Sequence, residues 1–275
     1  MEAFFLDGAR GPLLAVHHAA TGGRVPRQGL VYLPPFAEEM NRARRMAARQ
    51  ARRLAALGID VLLLDPFGTG DSAGDFGEAR WETWRSDAEA ATAWRGDRCG
   101  GPVGLWGLRL GALLAAEVAA QAPGRVSRLV LWQPVLTGDR FLTQFLRLRV
   151  AAGMADPSGA KSGKESTKYL RQRLVAGEAL EVGGYELAPA LAEAVGGLQL
   201  APLLGKLEGT AVDWLEVSSG GSHELLPASQ QIITGMTAQR PGLRAQAVAG
   251  EPFWAIQEFT LAPALLEATD ALFRP

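Results

Sequence analysis

Residues 104–115, which read GLWGLRLGALLA, carry the strongest signal for chemistry in the chain. Gly107 and Gly111 fit a sharp turn from a strand into a helix, on which hydrolases with the pattern Gly-x-Ser-x-Gly expose a serine nucleophile. The central position here is Arg109. A guanidinium stays protonated and has no lone pair to donate, so it cannot attack a carbonyl carbon. The pattern therefore predicts the turn and excludes the usual nucleophile at its centre.

The elements that must position this turn are predicted from the periodicity of apolar residues. The segments predicted as strands cover 3–6, 13–19, 30–33, 59–64, 103–106, 129–132, 212–217 and 243–249. The segments predicted as helices cover 41–57, 80–94, 110–121, 229–239 and 264–273. Short apolar runs that alternate with helices are typical of parallel strands buried on both faces. The fold class is therefore α/β, with a mostly parallel central sheet flanked by helices.

The alternation is interrupted between Thr137 and Gly209, where helical pieces are joined by connectors rich in small and polar residues. We interpret residues 137–208 as a helical lid, or cap, inserted into a core formed by 1–136 and 209–275. Within the insertion, residues 153–168 contain almost no large apolar side chain, which favours an exposed loop.

Composition limits the function classes that remain. The formal net charge of −1 gives no reason to expect nucleic acid as a partner. The N-terminus lacks the basic start and apolar run of a signal peptide, and we find no run of the roughly 18 to 20 apolar residues that a membrane span needs. These features predict a cytoplasmic protein without a membrane span. No metal is expected, because His17 and His18 are adjacent on a strand and point to opposite faces. No cofactor is expected either.

The order of these elements resembles that of the α/β-hydrolase family over nearly the whole chain. Three segments, 31–46, 65–76 and 106–111, are similar more narrowly to the exosortase A system-associated hydrolase 2 group. That resemblance implies a role in bacterial exopolysaccharide production and PEP-CTERM protein sorting. It also implies an α/β-hydrolase fold with a helical lid, in which the glycines and polar residues of 65–76 form a scaffold turn.

The family pattern also locates the other catalytic positions, and neither carries the expected residue. In AGEPFWAIQE, residues 249–258, Phe253 stands where the family has its histidine. The loop 218–227, where the family has its acid, carries His223 and no aspartate. Asp139 is an alternative acid, but without a histidine it orients nothing. The resemblance therefore predicts a degenerate triad.

Arg109 is nevertheless expected to be functional or paired. A cation at a helix N-terminus is unfavourable, so an acidic partner or a bound anion should lie beside it. Glu38, Glu39 and Glu251 are the candidates, with Glu251 the first choice because it lies closest to the vacated histidine position. Arg42, Arg44 and Arg45 favour a solvated helix face, although Arg42 could face the cleft. The predicted ligand-binding residues are Arg109, Leu110, Phe36, Glu38, Glu39, Arg42 and Glu251.

Two functions follow from these residues. The first is a pseudoenzyme, a non-catalytic or accessory binder of a small anionic or acyl-bearing molecule. The second is a hydrolase for ester or thioester bonds that uses a rearranged site, with His223, Asp139 or Glu251 acting on a water molecule. The sequence leaves a homodimer open.

Overall fold

The fold is built on one large sheet, which a computed structural model describes for residues 1–21, 28–100, 103–154, 165–238, 240 and 242–274. The strands in chain order are β1 Glu2–Gly8, β2 Gly11–His18, β3 Gln28–Leu33, β4 Ile59–Leu64, β5 Val103–Leu108, β6 Val126–Trp132, β7 Leu180–Val182, β8 Tyr185–Leu187, β9 Ala211–Ser218 and β10 Leu243–Ala249. Eight of them form the large sheet in the order β1-β2-β4-β3-β5-β6-β9-β10, and β7 and β8 form a separate hairpin.

The helices flank this sheet and cover its faces. In chain order they are α1 Glu38–Ala56, α2 Trp81–Cys99, α3 Leu110–Gln121, α4 Gly138–Met154, α5 Thr167–Val175, α6 Pro189–Gly196, α7 Leu200–Gly205, α8 Pro227–Thr237 and α9 Pro263–Ala271. Helix α1 starts earlier than residue 41, where the sequence places its beginning. Glu38 and Glu39 therefore lie in its first turn and not in the preceding loop, where their charges favour the helix dipole.

The pairing of the strands decides where a site can form. Strand β2 is antiparallel to β1 and β4, whereas β4, β3, β5, β6, β9 and β10 pair in parallel. This arrangement confirms the predicted α/β fold with a mostly parallel sheet. Parallel strands end at one edge of the sheet, so the loops that follow β3, β5, β6, β9 and β10 converge there.

Strand β5 lies in the middle of the sheet and is buried on both faces. Leu105 packs into the apolar cluster that includes α2 and α3, and Trp106 packs into the one that includes α1 and α9. The Trp106 ring lies 4.6 Å from the ring of Trp132 on the neighbouring strand β6. Packing on both faces holds the carboxyl end of β5 rigidly, which is what a turn carrying a functional side chain requires.

The elements between β6 and β9 are α4, α5, the β7–β8 hairpin, α6 and α7. Arg149 of α4 and Arg173 of α5 both pair with Glu165, at 2.7 and 2.8 Å. The division of the chain into a core and a lid stays a prediction. Of the predicted exposed loop, α4 covers 153 and 154 and α5 begins at Thr167, while 155–164 lie outside the described residues. Among the described helices, none is long and apolar enough to cross a membrane.

Candidate functional site: a cleft beside the β5 turn

The turn from β5 into α3, residues 107–111, has the strained geometry of a nucleophile elbow, and we call it the elbow. Arg109 occupies its apex with φ 56° and ψ −117°. A Cβ atom at Gly111 would lie 2.2 Å from the carbonyl oxygen of Leu33, and one at Gly107 would lie 2.4 Å from the carbonyl oxygen of Gly111. Both positions therefore need glycine, because strand and helix approach each other too closely for any side chain.

Backbone strain is concentrated around this turn. Among the described residues, the non-glycine positions with positive φ are Ala37 at 52°, Arg109 at 56° and Gln133 at 42°. They follow β3, β5 and β6, which are neighbours in the sheet. Such conformations are unfavourable for L-residues and persist where the surrounding structure enforces them, most often at functional sites. The strain marks this edge of the sheet as the candidate site.

Glu39 of α1, and not Glu251, is the acidic partner of Arg109. The Arg109 Nε donates to Glu39 Oε1 at 3.3 Å, and both side chains are largely buried. The guanidinium carbon also lies 5.7 Å from the centre of the Trp254 ring, within range of a cation–π contact. Glu251 is exposed, and its backbone carbonyl accepts from Phe253 N at 2.8 Å. The first choice of partner was wrong because α1 brings Glu39 to the elbow.

The Arg109–Glu39 contact leaves polar groups of both partners unused. Burial raises the pKa of Glu39 above its ordinary value, although Arg109 and Arg42 act in the opposite direction. Its Oε2 atom is buried and has no hydrogen-bond partner. Among the described residues, no acceptor contacts the two Nη groups of Arg109 within hydrogen-bond distance. Glu39 therefore fixes the guanidinium through Nε and leaves the four Nη hydrogens free to bind a ligand.

Arg109 also lines a cavity of about 160 Å³, which we call the elbow cleft. Its walls come from the elbow, the loop after β6, α4 and the start of α8, and consist of Arg109, Gln133, Pro134, Val135, Leu136, Thr137, Arg140, Phe141, Gln144, Glu216, Leu226, Ala228 and Ser229. Sequence reasoning missed Gln133, Thr137, Arg140 and Gln144. No local motif marks them, because only the packing of the insertion against the sheet brings them to the elbow.

Two of these residues present polar groups without protein partners. Gln133 is 8% exposed, and its Oε1 accepts from the backbone N–H of Val217 at 2.8 Å, so its Nε2 is the end left to donate. The hydroxyl of Thr137 is buried and has no partner. Buried polar groups are normally hydrogen-bonded, and exceptions call for an explanation. A bound ligand that accepts hydrogen bonds would provide one.

The acid in the cleft wall, Glu216, is a structural residue. Its Oε1 accepts from Trp214 Nε1 at 3.0 Å and from the Ser229 hydroxyl at 2.5 Å, and its Oε2 accepts from Leu226 N at 2.9 Å. These contacts hold the loop after β9 and the start of α8. Both carboxylate oxygens are engaged, so Glu216 does not offer a free acidic group to a ligand.

The other flank of the elbow is nearly filled. The cavity there measures about 20 Å³ and is formed by Pro34, Pro35, Phe36, Ala37, Pro66, Thr69, Trp81, Trp84, Leu110, Gly111 and Leu114. That volume holds about one water molecule. Phe36 is 3% exposed and contacts the rings of Trp84, Phe141 and Phe145 edge-on. An acyl chain therefore finds no room on this flank, and the open space lies on the polar side.

Glu38 and Arg42, also predicted to bind a ligand, lie on α1 next to Glu39 and its first turn. Glu38 Oε2 accepts from Asn41 Nδ2 at 3.0 Å and from the Tyr185 hydroxyl at 3.1 Å. Arg42 donates to the carbonyl oxygen of Ala255 at 2.7 Å, which ties α1 to the loop after β10. About a third of the Arg42 side chain and half of the Glu38 side chain are exposed, and neither residue lines the elbow cleft, so their contact with a ligand stays a prediction.

The residues of the alternative catalytic set are not brought together. Phe253 is 1% exposed, with its ring 6.2 Å from Trp132 and 5.0 Å from Trp254. His223 is exposed in the loop after β9. Asp139 is in an ion pair of 2.7 Å with Arg171 of α5. A catalytic base and acid therefore do not meet at the elbow among the described residues.

The turn after β4, residues 65–76, is built as a scaffold, and we call it the β4 turn. Arg44 of α1 donates two hydrogen bonds to Asp65, at 3.1 and 2.7 Å, while 44% of its side chain stays exposed, so it is both solvated and tied to this turn. The hydroxyl of Ser72 donates to the Asp65 carbonyl at 2.6 Å and accepts from Leu14 N at 2.8 Å. Gly70 has φ 55°, a conformation that glycine adopts without strain.

Comparisons with known proteins agree with this geometry. Residues 26–173 match the model of the family described as serine aminopeptidase, S33. The chain is also similar to solved structures of Est1E from Butyrivibrio proteoclasticus with bound ferulic acid (13% identity, 99% of this chain, 96% of that chain, TM-score 0.62) and of proline iminopeptidase from Mycobacterium smegmatis (13%, 99%, 97%, 0.62).

A third similar structure is XC6422 from Xanthomonas campestris, described as an α/β serine hydrolase without a lid (16% identity, 98% of this chain, 91% of that chain, TM-score 0.56). At these identities the likeness concerns the fold alone. A search of curated protein sequences finds no match.

Proposed function

This chain belongs to the serine aminopeptidase S33 family of α/β-hydrolases, and from that premise we propose that it binds a small anionic molecule and does not hydrolyse one. The observation that carries the proposal is the ion pair at the elbow. Arg109 stands at the position of the nucleophile, held by Glu39 through Nε, and lines the elbow cleft. An arginine held in this way is a rigid donor for carboxylate or phosphate.

The start of α3 adds to the attraction for an anion. Leu110 and Gly111 are its first residues, so their backbone N–H groups have no partner within the helix, and Arg109 gives the helix no side-chain cap. In an active relative the N–H group after the nucleophile stabilises an oxyanion. We propose that the site keeps this preference for negative charge after losing the nucleophile, with Arg109 and Leu110 as direct ligands and Glu39 as the residue that positions Arg109.

The biological setting of this binding rests on the resemblance of three segments to the exosortase A system-associated hydrolase 2 group. We propose that the protein acts as an accessory factor in bacterial exopolysaccharide production or PEP-CTERM protein sorting. In this proposal Glu38 and Arg42 hold the start of α1, which carries Glu39. Glu251 is exposed and has no ion-pair partner among the described residues, so we assign it no part in holding Arg109.

The second candidate is a hydrolase with a rearranged site, and family membership together with the preserved elbow favours it. It needs His223, Asp139 or Glu251 to activate water close to a bound substrate. Asp139 is engaged by Arg171, and His223 and Glu251 are exposed on separate loops. General acid–base catalysis requires groups within hydrogen-bond reach of the reacting atoms. Anion binding is therefore the better supported function.

Two measurements separate the candidates. The first is labelling with a fluorophosphonate probe, together with turnover of p-nitrophenyl acetate, with XC6422 as the positive control. We expect labelling of XC6422 and none of this protein. The second is the thermal shift of wild type and Arg109→Ala in inorganic phosphate and in acetate at constant ionic strength. Stabilisation of wild type alone supports binding at the elbow. Labelled serine, or rapid turnover that survives Arg109→Ala, would establish the hydrolase instead.

A further inference from the structure

We infer that the elbow cleft selects a phosphate group, free or as a monoester, and holds it between Arg109 of the sheet edge and Arg140 of α4. This inference rests on the proposed function, because it names the ligand of the same site. It adds a second cation from the insertion between β6 and β9, so that ligand binding joins the insertion to the core.

Arg140 is available for this role. It lines the cleft together with Gln144, which lies one helical turn later on the same side of α4. Among the described residues Arg140 forms no ion pair, whereas its neighbour Asp139 is engaged by Arg171. The charge of Arg109 is offset by Glu39, so Arg140 is the arginine in the cleft wall that lacks a close counter-ion. The carboxylate in the wall, Glu216, is held by three neutral donors, so a bound anion would contact the arginine side of the cleft. An anion between the two arginines would supply it.

The donors around the cleft come from different directions. Arg109 reaches it from the elbow, Gln133 and Thr137 from the loop after β6, and Arg140 from α4. Gln133 is 8% exposed and offers Nε2, and the buried Thr137 hydroxyl has no partner. A planar carboxylate accepts through two oxygens in one plane. A phosphate has three or more acceptor oxygens in a tetrahedral arrangement, which matches donors that surround a point.

The size of the cleft agrees with a single group of this kind. Its volume of about 160 Å³ is several times that of the nearly filled flank, whose 20 Å³ holds about one water molecule. Sites for drug-sized ligands are larger, at about 300 to 1,000 Å³. The cleft is therefore large enough for one phosphate group, and we expect the organic part of a monoester to extend through the open mouth towards solvent.

The test is a calorimetric titration of the full chain at constant ionic strength with inorganic phosphate, methyl phosphate and acetate. The variants are Arg140→Ala, Thr137→Val and Arg109→Ala, and the matched control is Arg147→Ala, an exposed arginine two helical turns further along α4. We expect phosphate and methyl phosphate to bind at least tenfold more tightly than acetate. Losing one charged hydrogen-bond donor corresponds to about tenfold in Kd or more, so Arg140→Ala should weaken phosphate binding by that factor.

Thr137→Val replaces the hydroxyl with a methyl group of similar size, so it keeps the fold and should weaken phosphate binding about fivefold. Arg147→Ala should change Kd by less than twofold. Phosphate binding that depends on Arg109 but is unchanged in Arg140→Ala and Thr137→Val would overturn the two-arginine site and leave the proposed function intact. Acetate binding as tight as phosphate would overturn the phosphate preference. No binding of any of these anions would refute the proposed function itself.

Discussion

Helix α1 forms an ion pair with each of two turns, and it contributes an arginine to one pair and a glutamate to the other. At the β4 turn its Arg44 meets Asp65 through two hydrogen bonds, at 3.1 and 2.7 Å. At the elbow its Glu39 meets Arg109 through one, at 3.3 Å. In the first pair both carboxylate oxygens are satisfied. In the second, one oxygen of Glu39 is buried without a partner, and Arg109, which lines a cleft, uses only its Nε in the contact.

The difference separates a scaffold from a binding site within the same layer of the fold. A two-bond pair between arginine and carboxylate fixes geometry and leaves little for a ligand to contact. A single-bond pair fixes the orientation of the guanidinium and keeps most of its donors free. The β4 turn therefore belongs to the first kind and the elbow to the second. Substitutions in each turn should affect stability and binding in different proportions.

The largest effect is expected for Gly111→Ala at the elbow. The new Cβ atom would lie 2.2 Å from the Leu33 carbonyl oxygen and 2.5 Å from that of Pro34, and neither backbone atom can move without shifting the strand. Overpacking against backbone belongs to the most destabilising mechanisms, so we expect a loss of about 4 kcal/mol or complete failure to fold. Urea unfolding followed by circular dichroism measures it.

Gly205→Ala in α7 is the matched control for that substitution. A Cβ atom there meets nothing within 4 Å, and the residue lies in a helix, where alanine is favoured over glycine. The control should be neutral or more stable than wild type by up to about 1 kcal/mol. Equal losses in both variants would contradict the close approach of β3 and α3 at the elbow.

The next effect concerns Asp87, which supports the β4 turn by accepting a hydrogen bond from Phe67 N at 2.9 Å. Its side chain is fully buried, and burial raises its pKa to about 6. In the unfolded chain the value is about 3.9. Between these two values the folded state holds a proton that the unfolded state has lost, so stability falls as pH rises from about 4 to 6 and is constant above.

Asp87→Asn removes that titration. A difference of about two pKa units corresponds to roughly 3 kcal/mol, so the stability of wild type relative to Asp87→Asn should fall by up to that amount between pH 4 and pH 7. Comparing the two proteins cancels the other carboxylates that titrate in this range. Urea unfolding at several pH values is the measurement, and parallel pH profiles for the two proteins would contradict a raised pKa at Asp87.

Arg44→Ala should separate stability from binding. It leaves the Asp65 carboxylate, 9% exposed, without its cation, which should cost about 2 kcal/mol because the arginine itself is partly exposed. Phosphate affinity should be unchanged, since Arg44 does not line the elbow cleft.

Glu39→Gln should have the opposite pattern to Arg44→Ala, with a small loss of stability and weaker phosphate binding. Denaturation and calorimetry on both variants test the contrast. Loss of phosphate binding in Arg44→Ala without loss of stability would contradict this contrast between the β4 turn and the elbow.

The parts of this molecule that local signals determine could be predicted from the sequence. Helix α3, Leu110–Gln121, and strand β10, Leu243–Ala249, have the predicted bounds. A glycine turn marks the start of α3, and for β10 the Pro–Gly pair at 241–242 is followed by apolar residues at 243, 245 and 247 that alternate with polar ones at 244 and 246. The start of α1 was not predicted, because its N-cap residue is Ala37, which provides no side-chain cap as a signal.

The site was predicted only as far as it depends on one motif. Arg109 at the apex follows from its two glycines. Its partner Glu39 and the cleft residue Arg140 depend on how helices α1 and α4 pack on the sheet, and no spacing in the sequence encodes that packing. The same holds for Gln133, whose strained φ of 42° is a property of the folded backbone.

The smallest effect is the coupling between Arg109 and Glu39, which is the sharpest test of the pair. The contact is a single hydrogen bond between side chains that are 17% and 24% exposed, so its strength should lie between that of a surface pair and a buried one, at about 1 kcal/mol. A double-mutant cycle with Arg109→Ser and Glu39→Gln measures it, and the cycle of Arg109→Ser with Glu251→Gln is the control, for which we expect a coupling near zero.

Arg109→Ser should also lack turnover of p-nitrophenyl acetate, because Phe253 provides no base to activate the new hydroxyl. A larger coupling to Glu251 than to Glu39 would contradict the geometry of the elbow, and turnover in Arg109→Ser would reveal a working base close to it.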